Sequence, residues 1–404
     1  MEFLGDLTLE KVRSFKMIQK LVLDNSAKRI GYFSTYPPRE CGIANFTKDL
    51  VDAIGDLGGI KPSIIAINEK GALYDYDRRV KWNIDRDDAE DYVKAAEYVN
   101  ASNIQLLVVQ HEFGLYGGDY GEHIKLFLDN IKIPVITTLH PMQPNFDKKA
   151  IEVLKYIVER SESIIVIAHA AIDMLKHQGI PYKKCVVIPH GCPNIDCTNN
   201  KSIKESLGLK DRLVASTFGL ISSGKGIEYA IRALPEVIKK EPRIIYLIIG
   251  ETHPEVRKHE GEKYRNELTR LVSELGLEEH VRFTNRFITK RELIKFLQAT
   301  DIYIPPYISP NQISSGTLIY ALGAGKAVVS TPYYHAIEVL SNDRGILCKF
   351  EDSASIAEGI NRLLDENFRN EVQRKAYKYS RRFLWKNVAK KYLNIINTIT
   401  EKNE

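Results

Sequence analysis

The chain has 404 residues, 44% hydrophobic and 27% charged, enough to build two or three packed domains without disulfides, which excludes a wholly disordered protein. A net charge of +5 is too small to require nucleic acid as a partner, although it suits phosphorylated ligands or an anionic membrane surface. Apolar runs such as Ile104 to Val109 and Ile164 to Ala168 are strand-sized, and none is long enough to cross a bilayer. Met1 to Lys20 alternates charged and apolar residues without a signal-peptide core, so the protein reads as cytoplasmic. The five cysteines, Cys41, Cys185, Cys192, Cys197 and Cys348, are odd in number and lack a CxxC pair. They argue against both a disulfide framework and a zinc site.

β-rich apolar runs alternate with helical periods along the chain. The first series predicts strands at Arg29–Ser34, Ser63–Ile67, Ile104–Gln110, Pro134–Leu139, Ser163–Ala168 and Cys185–Pro189. Helical spacing falls between them, as at Ala44–Ile54 and Ala89–Val99. The second series predicts strands at Leu213–Gly219, Ile244–Gly250, Val281–Thr284, Asp301–Pro305, Ala327–Ser330 and Gly345–Lys349. Helical stretches there include Ile227–Ile238, Lys263–Leu275 and Ala354–Leu364. Such alternation gives an α/β fold with parallel sheets covered on both faces. The polar stretch Asn194–Ser206 reads as a linker, so two Rossmann-like, doubly wound domains are favoured over one closed (β/α)8 barrel. Between Arg369 and Lys391, nine basic residues interleave with Tyr377, Tyr379, Phe383 and Trp385, and Glu371 is the only acid. This segment reads as helices packed by their apolar faces, and a contact with anionic lipid is the alternative.

Doubly wound folds bind ligands beyond the carboxyl ends of their strands. The first strand leads into Thr35 to Asn45, with Arg39 and with Gly42 at a helix start, where backbone N–H groups favour phosphate. The third ends in Gln110-His111-Glu112, and the fourth ends in Leu139-His140. Two histidines at such positions are candidates for ligand contact. In the second series, Leu220 to Gly226 carries Lys225 between two glycines, without the GxxxxGK[ST] spacing of a P-loop. Ser314, Ser315, Gly316 and Thr317 precede a helix through Tyr320 and Leu322, and they can turn N–H groups and hydroxyls toward one anion. Lys225 and this loop together make a metal-free clamp for a diphosphate.

Val187-Ile188-Pro189-His190-Gly191, Gly219…Lys225-Gly226, Leu275-Gly276-Leu277…Val281-Arg282-Phe283, Ala299 to Pro306 and Gly325 to Thr331 resemble, in order and spacing, the family-4 (group 1) retaining glycosyltransferases. The resemblance covers roughly Arg29 to Tyr392. It implies the GT-B fold: two Rossmann-like domains facing each other across a cleft, with a last helix crossing back to the first. On that pattern residues 1–195 form the acceptor-side domain, 205–380 the nucleotide-sugar-binding domain, and 381–404 the crossing helix. The family moves a sugar from a nucleotide-sugar, which is a substrate and not a cofactor, to a carbohydrate or glycolipid acceptor, usually without metal. GDP-mannose is the favoured donor and UDP-glucose the next.

Carried over by position, the resemblance places the donor diphosphate at Lys225, Ser314, Ser315, Gly316, Thr317, Gly42 and Arg39, and the nucleoside at Tyr320, Phe283 and Asn285. The sugar or acceptor falls at Glu112, His140 and Gln312, and catalysis at His111, Lys225 and Gln312. Three positions depart from the family. Its Glu-x7-Glu pair falls on Gln312 and Tyr320, and an arginine normally next to the loop glycine falls on Leu220. Arg39 is the expected substitute cation. Two rival functions follow. Asp75-Tyr76-Asp77 and Asp85-Arg86-Asp87 are DxD triplets, which a metal-dependent transferase could use, but their polar setting points to chance. A degenerate family member could also bind a sugar nucleotide or a partner subunit without turnover.

Overall fold

The structure is a computed structural model, and it describes residues 27–196 and 201–402. Met1 to Lys20, Cys197, Asn199 and Asn200, discussed above, lie outside the described residues. Seven strands make the first sheet: β1 (Lys28–Ser34), β2 (Ile60–Asn68), β3 (Val80–Asp85), β4 (Leu106–His111), β5 (Val135–Leu139), β6 (Ser163–Val166) and β7 (Cys185–Val187). Six make the second: β8 (Leu213–Phe218), β9 (Ile244–Ile249), β10 (Val281–Phe283), β11 (Ile302–Tyr303), β12 (Ala327–Ser330) and β13 (Ile346–Leu347). The sheet orders are β3-β2-β1-β4-β5-β6-β7 and β10-β9-β8-β11-β12-β13. Both are doubly wound, and neither is a closed barrel. The central pairs β1·β2, β1·β4, β8·β9 and β8·β11 are all parallel.

The strands form where expected because they are apolar on both faces, as fully covered parallel strands must be. Leu106 to Val109 and Ile244 to Ile249 are buried throughout. One strand was missed. Val80-Lys81-Trp82-Asn83-Ile84-Asp85 alternates apolar and polar residues, the pattern of a half-covered edge strand, and only Ile84 is buried. Asp85 therefore ends β3. Asp88 caps the helix Ala89–Ala101 by accepting the Glu90 N–H, and Asp77 is paired with Arg79 at 2.7 Å. Both DxD triplets are thus tied into local structure. The expected linker also holds a helix, Lys201–Ser206, whose Lys204 pairs with Asp301 at 2.6 Å. Cys41, Cys185, Cys192 and Cys348 are free thiols.

The chain forms two compact units. His140–Phe146 and Val166–Val388 make one, and the described residues before them, Asp147–Ile165 and those from Ala389 onward make the other. In the latter, Tyr392 Oη and Thr138 Oγ1 are hydrogen-bonded at 2.9 Å, and Lys28 donates to Thr400 Oγ1 at 2.7 Å. The basic, aromatic segment forms the helices Glu366–Ser380 and Trp385–Thr400. Arg382 stacks on Tyr379 at 4.2 Å, and Arg344, from outside the segment, stacks on the same ring at 3.7 Å. Arg381 stacks on Tyr377 at 3.7 Å and donates to the Gly323 carbonyl at 2.6 Å. Guanidinium on an aromatic face is an internal packing device. Among the described residues no helix is long and apolar enough to cross a membrane.

Candidate functional site

In a sheet of order 3-2-1-4-5-6 the connections leave the central pair in opposite directions and open a crevice at the strand ends. In the unit that holds Val166–Val388 that switch lies between β8 and β11. The connection after β8 is held by backbone bonds: the Ile221 N–H donates to the Glu251 carbonyl at 2.8 Å, and the His253 N–H to the Ile221 carbonyl at 2.9 Å. Ser223–Lys225 form one 3-10 turn. Gly226 follows in the left-handed region, φ 60°. A Cβ there would stand 2.3 Å from the Pro306 carbonyl oxygen. This glycine lets the loop lie against the connection that follows β11, which aims Lys225. The Lys225 Nζ donates to the Tyr307 hydroxyl at 3.1 Å and stands 4.5 Å from the centre of its ring.

The connection after β11 is pinned from below. Thr331 Oγ1 donates to the Tyr307 carbonyl at 2.6 Å, and the N–H groups of Tyr334 and His335 donate to the carbonyls of Pro310 and Gln312, each at 3.1 Å. Ser315 caps the helix Gly316–Gly323 by accepting the Leu318 N–H. Thr317 Oγ1 lies 3.0 Å from Tyr307 Oη and 3.1 Å from Ser315 Oγ. A methyl group on Gly219 would sit 3.6 Å from Lys225 Nζ and 3.4 Å from Thr317 Cγ2. Lys225, Thr317 and the Gly219 backbone therefore converge on one small space.

The expected loop is narrower than the sequence suggested. The Ser315 N–H is taken by His335 Nδ1 at 2.8 Å, leaving Gly316 and Thr317 as the first-turn donors for an anion. The Gln312 amide folds back to donate to the Ser314 carbonyl. Tyr320 lies edge-on to His190, with ring centres 6.1 Å apart. The His190 ring also covers Gly316, where a Cβ would meet Nε2 at 2.7 Å. Phe283 and Asn285 stand at the end of β10. Phe283 packs on the core, and exposed Asn285 adopts a left-handed φ of 51°, which asparagine tolerates.

In the unit that holds the described residues up to Leu139 the switch lies between β1 and β4. Gly42 opens the helix Gly42–Leu57, and nothing lies within 4 Å of where its Cβ would be. Arg39 is buried, donating to the Ile67 carbonyl at 3.0 Å and pairing with Glu69 at 3.4 Å. Its charge is already matched locally, a poor start for a substitute phosphate cation. His111 is the last residue of β4. Its ring is wholly buried, stacked on Tyr116 at 5.8 Å, and neither nitrogen has a hydrogen-bond partner. Burial lowers its pKa to about 3. Burial raises the neighbouring Glu112 carboxyl to about 7, so it can donate or accept a proton near neutrality. His140, which follows β5 and groups with the other unit, is also buried.

Three contributors were not foreseen: Tyr307, His335 and His190. Tyr307 directly follows the Ala299 to Pro306 segment of the resemblance, which carries no site residue of its own. His335 belongs to a distant connection, after β12, and only the fold brings it to Ser315.

The two buried imidazoles carry a pH signature. His335 is also held to about 3, first by burial and then by nearby His190. Between pH 6.5 and 3 the unfolded chain binds protons that the folded chain refuses, so these groups weaken the fold as pH falls. Glu112 acts oppositely: its raised pKa favours the folded state as pH falls from 7 to about 4.5. Replacing His111 by Phe should flatten the loss of stability between pH 7 and 5 by about 2 kcal/mol. Urea unfolding at both pH values reads this, and equal slopes in wild type and variant would show that His111 titrates normally.

Doubly wound sheets with a lysine and a helix start at the switch define an α/β protein whose candidate site has the chemistry suited to an anion. Residues 199–383 match the family model for glycosyl transferases group 1. The chain is similar to the uncharacterized glycosyltransferase MJ1069 of Methanocaldococcus jannaschii, 27% identical over 61% of this chain and 60% of that protein. A shorter match, 34% identical over 26% of this chain and 24% of that protein, is to the GDP-mannose-dependent alpha-(1-6)-phosphatidylinositol monomannoside mannosyltransferase of Mycolicibacterium smegmatis. The chain thus spans less than two thirds of either relative. Anabaena HepE, solved in complex with UDP and glucose, shares the fold: TM-score 0.73, 16% identity, 92% of this chain and 100% of that one. Residues 199–383 thus match the group 1 glycosyl transferases, and the described chain has the GT-B fold.

Proposed function

We propose that the protein transfers a hexosyl group, with retention of anomeric configuration, from a nucleotide-sugar to a carbohydrate or glycolipid acceptor. The observation that carries this is the convergence of Lys225, Thr317 and the helix start at Gly316 at the β8/β11 switch. Departure of a nucleoside diphosphate builds negative charge on its terminal phosphate. An ammonium and oriented N–H groups fixed at that point stabilise it. Among the described residues the side-chain hydrogen-bond partners of Lys225 and Thr317 are hydroxyls, and we favour front-face substitution, with the departing phosphate taking the acceptor's proton. Glu112 and His140 are each assigned to sugar or acceptor hydroxyls, and His111 to the sugar through its place at the end of β4. Among donors GDP-mannose is preferred, supported by the short match to a GDP-mannose-dependent relative. UDP-glucose comes next. A contact with anionic membrane would suit a glycolipid acceptor and a chain of net charge +5.

A thermal-shift panel of GDP, UDP and ADP tests this first, because a ligand of the folded state raises apparent stability by mass action. Release of sugar and nucleoside diphosphate from the preferred donor then tests turnover. The degenerate reading draws on the folded-back Gln312 amide and the paired Arg39. A nucleoside diphosphate that binds, with no donor hydrolysis or transfer, would favour it. Because Lys225 and the helix start supply the charge, activity should be unchanged by EDTA. Loss on chelation, restored by Mn²⁺, would overturn the metal-independent mechanism.

A further inference from the structure

Leu220 leaves the loop after β8 with one cation, Lys225. A lysine side chain is long and flexible, with a compact charge and no built-in direction, so its aim must come from its surroundings. The surroundings here are specific. Tyr307 is 6% exposed and stacked on buried Tyr333, with ring centres 5.1 Å apart. Its carbonyl is fixed by Thr331 at 2.6 Å. The ring and hydroxyl are therefore rigid before any ligand arrives. Lys225 meets both: Nζ is 4.5 Å from the ring centre and 3.1 Å from Oη. With its oxygen accepting from Lys225, the phenol is free to donate to Thr317 Oγ1, 3.0 Å away.

We propose that Tyr307 is the positioning residue of the site. It takes one of the three ammonium N–H donors of Lys225, leaves two for an anion, and links that cation to Thr317 on the first turn of the helix Gly316–Gly323. The ring face holds the charge within about 6 Å, where the attraction is appreciable. This deepens the proposed function and rests on its assignment of a diphosphate to Lys225. It explains how one lysine, without a second cation, is kept in a single orientation for the leaving group.

Calorimetric titration of the full chain with GDP, UDP and inorganic pyrophosphate tests it. Tyr307→Phe keeps the stacked ring and removes the hydroxyl, so melting should be unchanged while pyrophosphate and the preferred nucleotide bind about tenfold more weakly. In a Lys225→Ala background the same change should cost less than twofold, because a positioning group acts only through what it positions. Equal weakening in both backgrounds would mean a merely structural role and overturn the proposal. So would unchanged affinity in Tyr307→Phe, while leaving the functional reading intact. If wild type binds none of the three probes, the functional reading falls and this proposal with it. Wild-type protein with lysines ¹³C-labelled at Cε keeps all three ammonium N–H donors and gives a readout independent of the Phe variant's folding. The Lys225 resonance, identified by its loss in Lys225→Ala, should be ring-shifted upfield, and a resonance at the solvent-exposed position would overturn the proposal.

Discussion

Lys225→Ala should lower kcat by roughly a hundredfold or more, by analogy with loss of one preorganised donor at a developing oxyanion. Its ammonium is held at 3.1 Å from Tyr307 Oη, beside Thr317 and the Gly219 backbone, at the carboxyl end of β8. Charge on the departing phosphate is greatest in the transition state, so the lost interaction weighs more there than in the bound donor. Affinity for the free nucleoside diphosphate should fall too, since the same cation meets its terminal phosphate. The fold should survive, because the residues on either side of Lys225 form a short turn and the core of that unit lies on β8, β9 and the helix Ile227–Ile238. Steady-state kinetics with the preferred donor, set beside a melting curve, separates these effects. A folded variant with wild-type turnover would remove the diphosphate from this position, and the site assignments that depend on it.

The doubly wound fold was legible because strands covered on both faces read as uninterrupted apolar runs, and helices between them as a different period. Edge strand β3 was overlooked because it keeps only Ile84 buried and alternates with polar residues. The site was legible in its backbone parts. Glycine before a helix and a serine–threonine loop mark a candidate anion site by local chemistry alone, and Lys225 and Thr317 do share a partner, the Tyr307 hydroxyl. What sequence could not supply was occupancy. Whether an N–H, an amide or a guanidinium is free depends on groups brought from elsewhere in the chain. His335 takes the Ser315 N–H, the Gln312 amide turns onto Ser314, and Glu69 pairs with Arg39. Each is a tertiary or loop-level pairing that residue spacing does not encode. Tyr307 escaped for the same reason: its role lies in what stands above it.

Two glycines of the Lys225 loop should respond in opposite ways to the same substitution. Gly226 lies at φ 60°, and a Cβ added there would come within 2.3 Å of the Pro306 carbonyl oxygen and 2.9 Å of Ile308 Cγ2. The left-handed conformation alone costs an alanine about 1–2 kcal/mol. The Pro306 carbonyl is backbone and cannot swing away as a side chain would, so the loop or the β11 connection must shift. Gly226→Ala should therefore destabilise the protein by about 2–4 kcal/mol. Turnover should fall at least as far as in Lys225→Ala, because the shift carries Lys225 away from Tyr307 and Thr317 together. Gly224, two residues earlier, is exposed, and nothing lies within 4 Å of its Cβ position. Gly224→Ala should change stability by less than about 0.5 kcal/mol and leave turnover near wild type. Urea unfolding and donor turnover, measured on both variants, test the contrast. If the two alanines behave alike, the loop is flexible enough to absorb a side chain anywhere, and the close approach at Pro306 does not fix the direction of Lys225.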